Sequence, residues 1–182
     1  MGLDMYLYRI AGGTKDIAEA IELENAFWKT AQYDAGRNEF INDGCERGLD
    51  EIAYWRKANQ VHKWFMDNCG ADNCDYYPVT RSQLSELLTA CEYVIAHSEL
   101  VEAMVHNGSR FENGEWVPIM EKGKAIKDAS YAEELLPTCE GFFFGSTEYD
   151  EWYLDDLKQT VCQLKSIMNA YDDDTFYYYP SW

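Results

Sequence analysis

The groups in this chain that could do chemistry are thiols, imidazoles and carboxylates, and their spacing decides which chemistry is open to them. Cys69 and Cys74 enclose four residues in a turn-rich stretch, with His62 one or two helical turns upstream, which is half of a zinc ligand set. The other half would have to come from Cys45, Cys91, Cys139, His97 or His106, and no second paired spacing exists among these. The thiols therefore read as reduced, mostly buried small hydrophobes, and neither a metal nor another cofactor is expected. Gly12-Gly13-Thr14 could hold an anion on backbone N–H groups, but it has neither the spacing and lysine of a phosphate-binding loop nor a GxGxxG pattern. It reads as a turn and a helix cap. Ser146 follows Gly145 outside any GxSxG elbow, with no histidine positioned to serve it, so it too reads as a cap. His62 reads as a buried, hydrogen-bonded imidazole rather than a general base. With no catalytic constellation, the expectation is a binding protein and not an enzyme.

Charge is the loudest compositional fact. The chain has 33 acidic against 15 basic residues, a formal net charge of -18. Binding to a phosphate backbone needs Lys and Arg to displace counterions, so direct DNA binding is not expected and a basic protein is the better partner. The 42 residues from Gly141 onward hold eight acids against two lysines, and twelve of the 28 aromatics. Carboxylates beside aromatic anchors suit docking on a positive groove. The expected partner-binding residues are Glu148, Tyr149, Asp150, Glu151, Trp152, Tyr153, Asp155, Asp156, Asp172, Asp173 and Asp174, with Phe142, Phe143, Phe144 and Leu157 assigned to the core. The competing reading of Asp150-Glu151 and Asp155-Asp156 is a solvated helix edge.

These residues must be positioned by a fold, and 182 residues suffice for one domain over 1–182 with its own core. Leu3 to Ile10 alternates as a strand, and Thr14 is placed to cap a helix carrying Ile17, Ile21, Glu24 and Trp28. Residues 33–48 read as loop. The run from Asp50 to Phe65 has acids first and Ile52, Trp55, Ala58, Val61 and Phe65 near helical spacing, which predicts a helix. Tyr76 to Val79, with Pro78, reads as an edge strand. Thr80 and Gln83 form a capping box before a helix faced by Leu84, Leu87, Leu88, Cys91, Val94 and Ile95. Residues 99–105 extend that helix or form a short one. Asn113-Gly114 between Phe111 and Val117 predicts a hairpin, and 121–137 is ambiguous. Gly141 to Gly145 reads as a buried strand, Ser146-Thr147 as the cap of a helix with Leu154, Leu157, Val161, Leu164 and Met168 in register, and Thr175 to Tyr179 as a last strand. The expected class is α+β, a small mixed or antiparallel sheet packed with about four helices.

No stretch is long and apolar enough to span a bilayer, and Met1-Gly2-Leu3-Asp4 has neither a secretory signal nor a myristoylation pattern, since position 6 is Tyr6. The expected location is the cytoplasm, where the sequon at Asn107 would be idle.

Three blocks, MGLDMYLYRI (Met1 to Ile10), EIAYWRKANQVHKWF (Glu51 to Phe65) and LPTCEGFFFGSTEYDEWYLDDLK (Leu136 to Lys158), resemble a family of small acidic proteins carried by phages and prophages of Firmicutes. The likeness spans most of the chain but carries no active-site motif. In that setting the chain resembles an anti-CRISPR, a phage inhibitor of the type II CRISPR effector nuclease that binds it with its guide RNA. The resemblance implies an anti-defence role inside a host bacterial cell, with an acidic surface that blocks positively charged nucleic-acid channels and impairs DNA binding or cleavage. The alternative is an anti-defence protein that sequesters or cleaves a nucleotide signalling molecule. Its phosphates would need convergent basic residues, and the only close pairs are Arg56-Lys57 and Lys122-Gly123-Lys124.

Overall fold

The computed structural model describes residues 2–12, 16–42, 44–112, 114–141 and 143–182. Among these, five helices and eight strands form an α+β arrangement in which the strand pairs are antiparallel. The central sheet has the order β4-β1-β8-β5, built from β1 (Asp4–Ile10), β4 (Leu49–Arg56), β5 (Tyr77–Thr80) and β8 (Thr175–Ser181). The alternation expected of β1 and β8 sorts their side chains between two faces. Met5, Leu7, Phe176 and Tyr178 are buried together with Val61 and Phe65 of α2 (Asn59–Cys69), Leu84 and Leu87 of α3 (Arg81–His97), and Leu157 and Leu164 of α5 (Glu151–Ala170). On the opposite face Tyr6, Tyr8, Tyr54, Tyr76 and Tyr179 lie half-buried against one another, with ring centroids 4.7 to 6.5 Å apart.

The helix expected over 50–65 is two elements. Leu49–Arg56 is the strand β4, and the helix begins only at Asn59. The register steps from Leu7↔Ala53 to Tyr8↔Glu51, so Ile52 is an extra residue opposite β1. That bulge breaks the two-residue alternation and leaves Leu49, Ala53 and Trp55 as the buried positions, a spacing that imitates a helix. Pairing with β1 and the β-preference of Ile52, Tyr54 and Trp55 decide the outcome. The outer edge of β4 is covered by α5: Gln163 accepts the Tyr54 backbone N–H at 2.9 Å, and the Trp55 indole donates to Thr160 at 2.9 Å.

Other expectations change in similar ways. Residues 100–105 are not helical but open β6 (Leu100–Glu112), which pairs with β7 (Glu115–Ile126) in a ribbon far longer than the hairpin expected around Gly114. Gly114 turns it at φ 92°, a conformation that favours glycine, while Asn113 lies outside the described residues. Residues 32–41 hold a small hairpin, β2 (Gln32–Asp34) and β3 (Glu39–Ile41), where only loop was expected. The ambiguous stretch ends β7 and holds the short α4 (Ser130–Leu135). In α1 (Ile17–Thr30) the buried residues are Ala20, Glu24 and Phe27, leaving Trp28 exposed. Its cap is Asp16, whose carboxylate accepts the Glu19 N–H; Gly13 and Thr14 lie outside the described residues.

Gly141 and residues 143–145 do not lie in a strand. Phe143 takes φ 65° and is 54% exposed, against its core assignment, whereas Phe144 is buried and Phe142 lies outside the described residues. The reversal at Phe143 and Gly145 turns the chain too sharply for a ladder. Of the cysteines, only Cys91 is fully buried; Cys74 and Cys162 are exposed, and all six are free thiols. The capping box stands as expected: Thr80 accepts from the Gln83 backbone and Gln83 from the Thr80 backbone.

His62 is buried and its Nδ1 lies 2.8 Å from the Tyr178 hydroxyl. Burial lowers its pKa to about 4. An unfolded histidine titrates near 6.5, so the unfolded state gains the proton first, and stability from neutral His62 is complete above pH 6.5 and lost as pH falls towards 4. Between pH 7 and pH 5 this loss is about 2 kcal/mol, and a His62→Phe variant should not show it. Urea midpoints of both proteins at the two pH values check this; identical pH slopes would contradict it.

Candidate functional site

Five of the eleven expected binding residues, Glu148, Asp150, Trp152, Tyr153 and Asp156, line one cleft, and the elements beside it explain why. The chain leaves β4 through Lys57, whose φ of 61° is unfavourable for a residue with a side chain by roughly 1–2 kcal/mol. Two contacts hold it there: the Lys57 N–H donates to Leu3 O at 2.8 Å, and Gly145 packs on it so closely that an added Cβ would lie 3.0 Å from Lys57 O. Asn59, the first residue of α2, fixes the opposite wall. Its amide donates to Ser146 O at 2.7 Å and Phe144 O at 3.3 Å, and its Oδ1 accepts the Cys139 N–H at 3.1 Å. Gln60 then ties α2 to α5, donating to Asp156 Oδ2 at 3.2 Å.

Between these walls lies a cleft of about 300 Å³, with Arg56 and Lys57 on one side and Glu148, Trp152 and Asp156 on the other. Trp152 is 68% exposed at its rim. Asp156 is mostly withdrawn from water, which raises its pKa to about 6; Asp150 and Asp155 add to the rise, and the Gln60 hydrogen bond works against it. A cleft with a flat aromatic wall, a poised carboxyl and a second carboxylate can accept a guanidinium or ammonium group by cation–π contact and charge-assisted hydrogen bonds.

Not every expected residue is free to bind. Asp150 is buried and caps α5, accepting from the N–H groups of Trp152 at 2.9 Å and Tyr153 at 3.0 Å. Tyr153 is buried and its hydroxyl donates to Leu136 O at 2.9 Å. Tyr149 is half-buried, its ring 5.0 Å from that of Tyr153. The start of α5 thus spends Tyr149, Asp150 and Tyr153 on its own anchoring, and Ser146 and Thr147 do not cap it. Glu148 and Trp152 face outward, Glu151 sits beside Gly123 of β7, and Asp155 pairs with Lys158 at 2.8 Å.

Asp172 to Asp174 are not part of this cleft. From Asp156, the last residue of α5 to line the cleft, the helix runs on to Ala170, about 21 Å at 1.5 Å per residue, before they begin. Their surroundings are structural: Asp173 lies 3.5 Å from Arg9, and Asp174 O accepts the Arg81 N–H at 3.0 Å. Arg81 closes the end of α5 by donating to Tyr171 O at 2.6 Å and Met168 O at 2.7 Å. Arg56, Lys57, Asn59 and Gln60 were missed as site residues, because a continuous helix over 50–65 hides the corner at which they gather. Among the described residues, no group of three or more His, Cys, Asp or Glu converges as a metal site, and no helix is long and apolar enough to cross a membrane. Compared with protein-family models, curated proteins and solved structures, the chain matches none.

The two acids of the site affect stability differently. Asp150→Ala removes a buried cap and should cost about 1–2 kcal/mol. Asp156 holds its proton longer when folded than when unfolded, so stability from that proton is complete below about pH 4 and lost as pH rises towards 6. Asp156→Asn should therefore stabilise the protein by roughly 1–2 kcal/mol at pH 7 and by much less at pH 4. Thermal or urea unfolding of both variants at the two pH values measures this.

Proposed function

We propose that this chain is a binding protein that docks on a positively charged protein surface and, from the resemblance to small acidic phage proteins, that its target is the guide-loaded type II CRISPR effector nuclease, whose DNA binding or cleavage it impairs. The observation that carries the reading is how few positive charges remain free after folding. Arg9, Arg37, Arg47, Arg56, Lys63, Arg110, Lys127, Lys158 and Lys165 each lie within 4.0 Å of a carboxylate, and Arg81 is spent on backbone carbonyls. The net charge of -18 is thus presented to a partner with ten of the fifteen basic residues already engaged. Trp152, beside Glu148 and Asp156, supplies the kind of aromatic anchor that dominates binding energy at interfaces.

Nucleotide sequestration is less well supported. A cavity of about 600 Å³ between α3 and α4 is lined by Glu86 and Glu134 and by no basic residue, and the cleft with Arg56 and Lys57 also holds Glu148, Asp150 and Asp156.

Mixing the protein with the guide-loaded nuclease should give a complex in native electrophoresis or sedimentation at ~50 mM salt that weakens by tenfold or more at ~500 mM. Trp152→Ala should weaken it by about tenfold or more. Binding should strengthen as pH rises through about 6 in the wild type, where Asp156 ionises, and Asp156→Asn should flatten that dependence. No complex at low salt would remove the nuclease as the target, and salt-insensitive binding would remove the electrostatic mechanism.

A further inference from the structure

The ribbon of β6 and β7 carries a feature that neither the cleft nor the acid excess explains. Direct cross-strand partners point to the same side of a ribbon, so the pairs Met104↔Lys122, His106↔Met120 and Phe111↔Trp116 share one face. On that face Met104 is 56% exposed, Phe111 61%, Trp116 71% and Met120 47%. The other face, with Val101, Val105, Val117 and Ile119, is half-buried. An isolated two-stranded ribbon is marginal in water, and this one holds Met104, Phe111 and Trp116 outward, while Met120 lines a cavity of about 440 Å³ that the face shares with the loop before α5.

Charge distinguishes the occupants. Residues 100–126 hold Glu102, Glu112, Glu115 and Glu121 against Arg110, Lys122 and Lys124, a net charge of -1 in a chain of -18. The ribbon therefore offers little electrostatic attraction to a basic partner and little repulsion to its own kind. Its exposed face is also self-complementary. Glu102, Lys122 and Lys124 lie towards the base, and Phe111 with Trp116, 5.3 Å apart, form the tip. Two ribbons laid face to face in opposite directions bring each aromatic tip over the other's Met104 and Lys122, giving apolar contact and a cation over an indole. The four exposed side chains offer on the order of 500 Å² per copy, hence about 1,000 Å² for a symmetric pair, which reaches the lower bound for a specific interface.

We infer that the β6–β7 ribbon is a self-association arm, through which two copies of this chain pair face to face by Met104, Phe111, Trp116 and Met120. The inference is independent of the target of the acidic surface, and its salt response has the opposite sign. Two copies of net charge -18 repel each other elsewhere, so screening helps an apolar contact that it would not help at a charge-paired interface.

Sedimentation equilibrium of the whole chain from ~1 μM to ~1 mM at ~50 and ~500 mM salt tests it. A dimer is expected whose dissociation constant falls by about tenfold between the two salts, and Trp116→Ser and Phe111→Ser should each weaken it by tenfold or more. Both positions are at an exposed tip, and unchanged circular dichroism and unfolding midpoint would show that the body is intact. Lys122→Glu, which leaves the apolar residues in place, should weaken the dimer at low salt and less at high salt. A monomer at ~1 mM in high salt overturns the inference. So does a dimer that Trp116→Ser and Phe111→Ser leave unchanged, or a monomer in which Trp116→Ser instead weakens binding to the nuclease.

Discussion

The rings of Phe65 and Tyr178 stack 3.9 Å apart and 14° from parallel, and much of the fold depends on that contact. Phe65 belongs to α2 and Tyr178 to β8, so one pair of aromatic faces joins the helical layer to the middle of the sheet. The Tyr178 hydroxyl finds its partner in His62, one turn earlier on the same helix, which satisfies a polar group that the stack has removed from water. Once α2 is held there, Asn59 and Gln60 at its start are fixed relative to the loop before α5 and to Asp156. The geometry of the cleft thus descends from packing on the other side of α2, several residues away from any group that faces solvent.

A second constraint is the large acid excess, which the fold accommodates in two ways. It assigns some carboxylates to backbone duty, as with Asp16 and Asp150 at the starts of α1 and α5. It also surrounds the rarer basic residues with acids, as with Arg9 between Asp50 and Asp173, or Glu24 gripping Arg47 at 2.6 Å while accepting the Trp28 indole at 2.7 Å. The consequence is that ten of the fifteen basic residues are committed within the fold, while the acids in excess have no basic residue to match them. Exposed pairs of this kind add little stability, so their importance here lies in the potential that they leave outside.

The α+β class, the strands nearest the two ends of the chain, the capping box at Thr80 and the start of α3 were legible because each rests on local signals. A two-residue alternation in β1 and β8, Pro78 at an edge, and a hydroxyl three residues before Gln83 all act within a few bonds. What was not legible depends on distant partners. Ile52 reads as part of a helical stripe until β1 is laid beside it, and residues 100–105 read as helix until the β7 strand pairs with them. The same applies to function. Acid-rich residues after Gly141 were treated as one group, but sequence could not separate Trp152, which faces outward, from Tyr153, which the core absorbs. Asp172 to Asp174 were grouped with them by proximity along the chain, although a whole helix intervenes.

The place of β8 in the sheet has a consequence for synthesis. It lies between β1 and β5, and among the described residues β5 pairs with no other strand. While the chain is being made, β1 and β4 can zip together early, but β5 must wait until residues 175–181 arrive, roughly 5–20 s later at ordinary translation speeds. During that interval an aromatic-rich strand lacks its neighbours, so a chaperone or a stalled ribosome would meet an open edge. Final closure is a late, long-range insertion rather than a growth from one end.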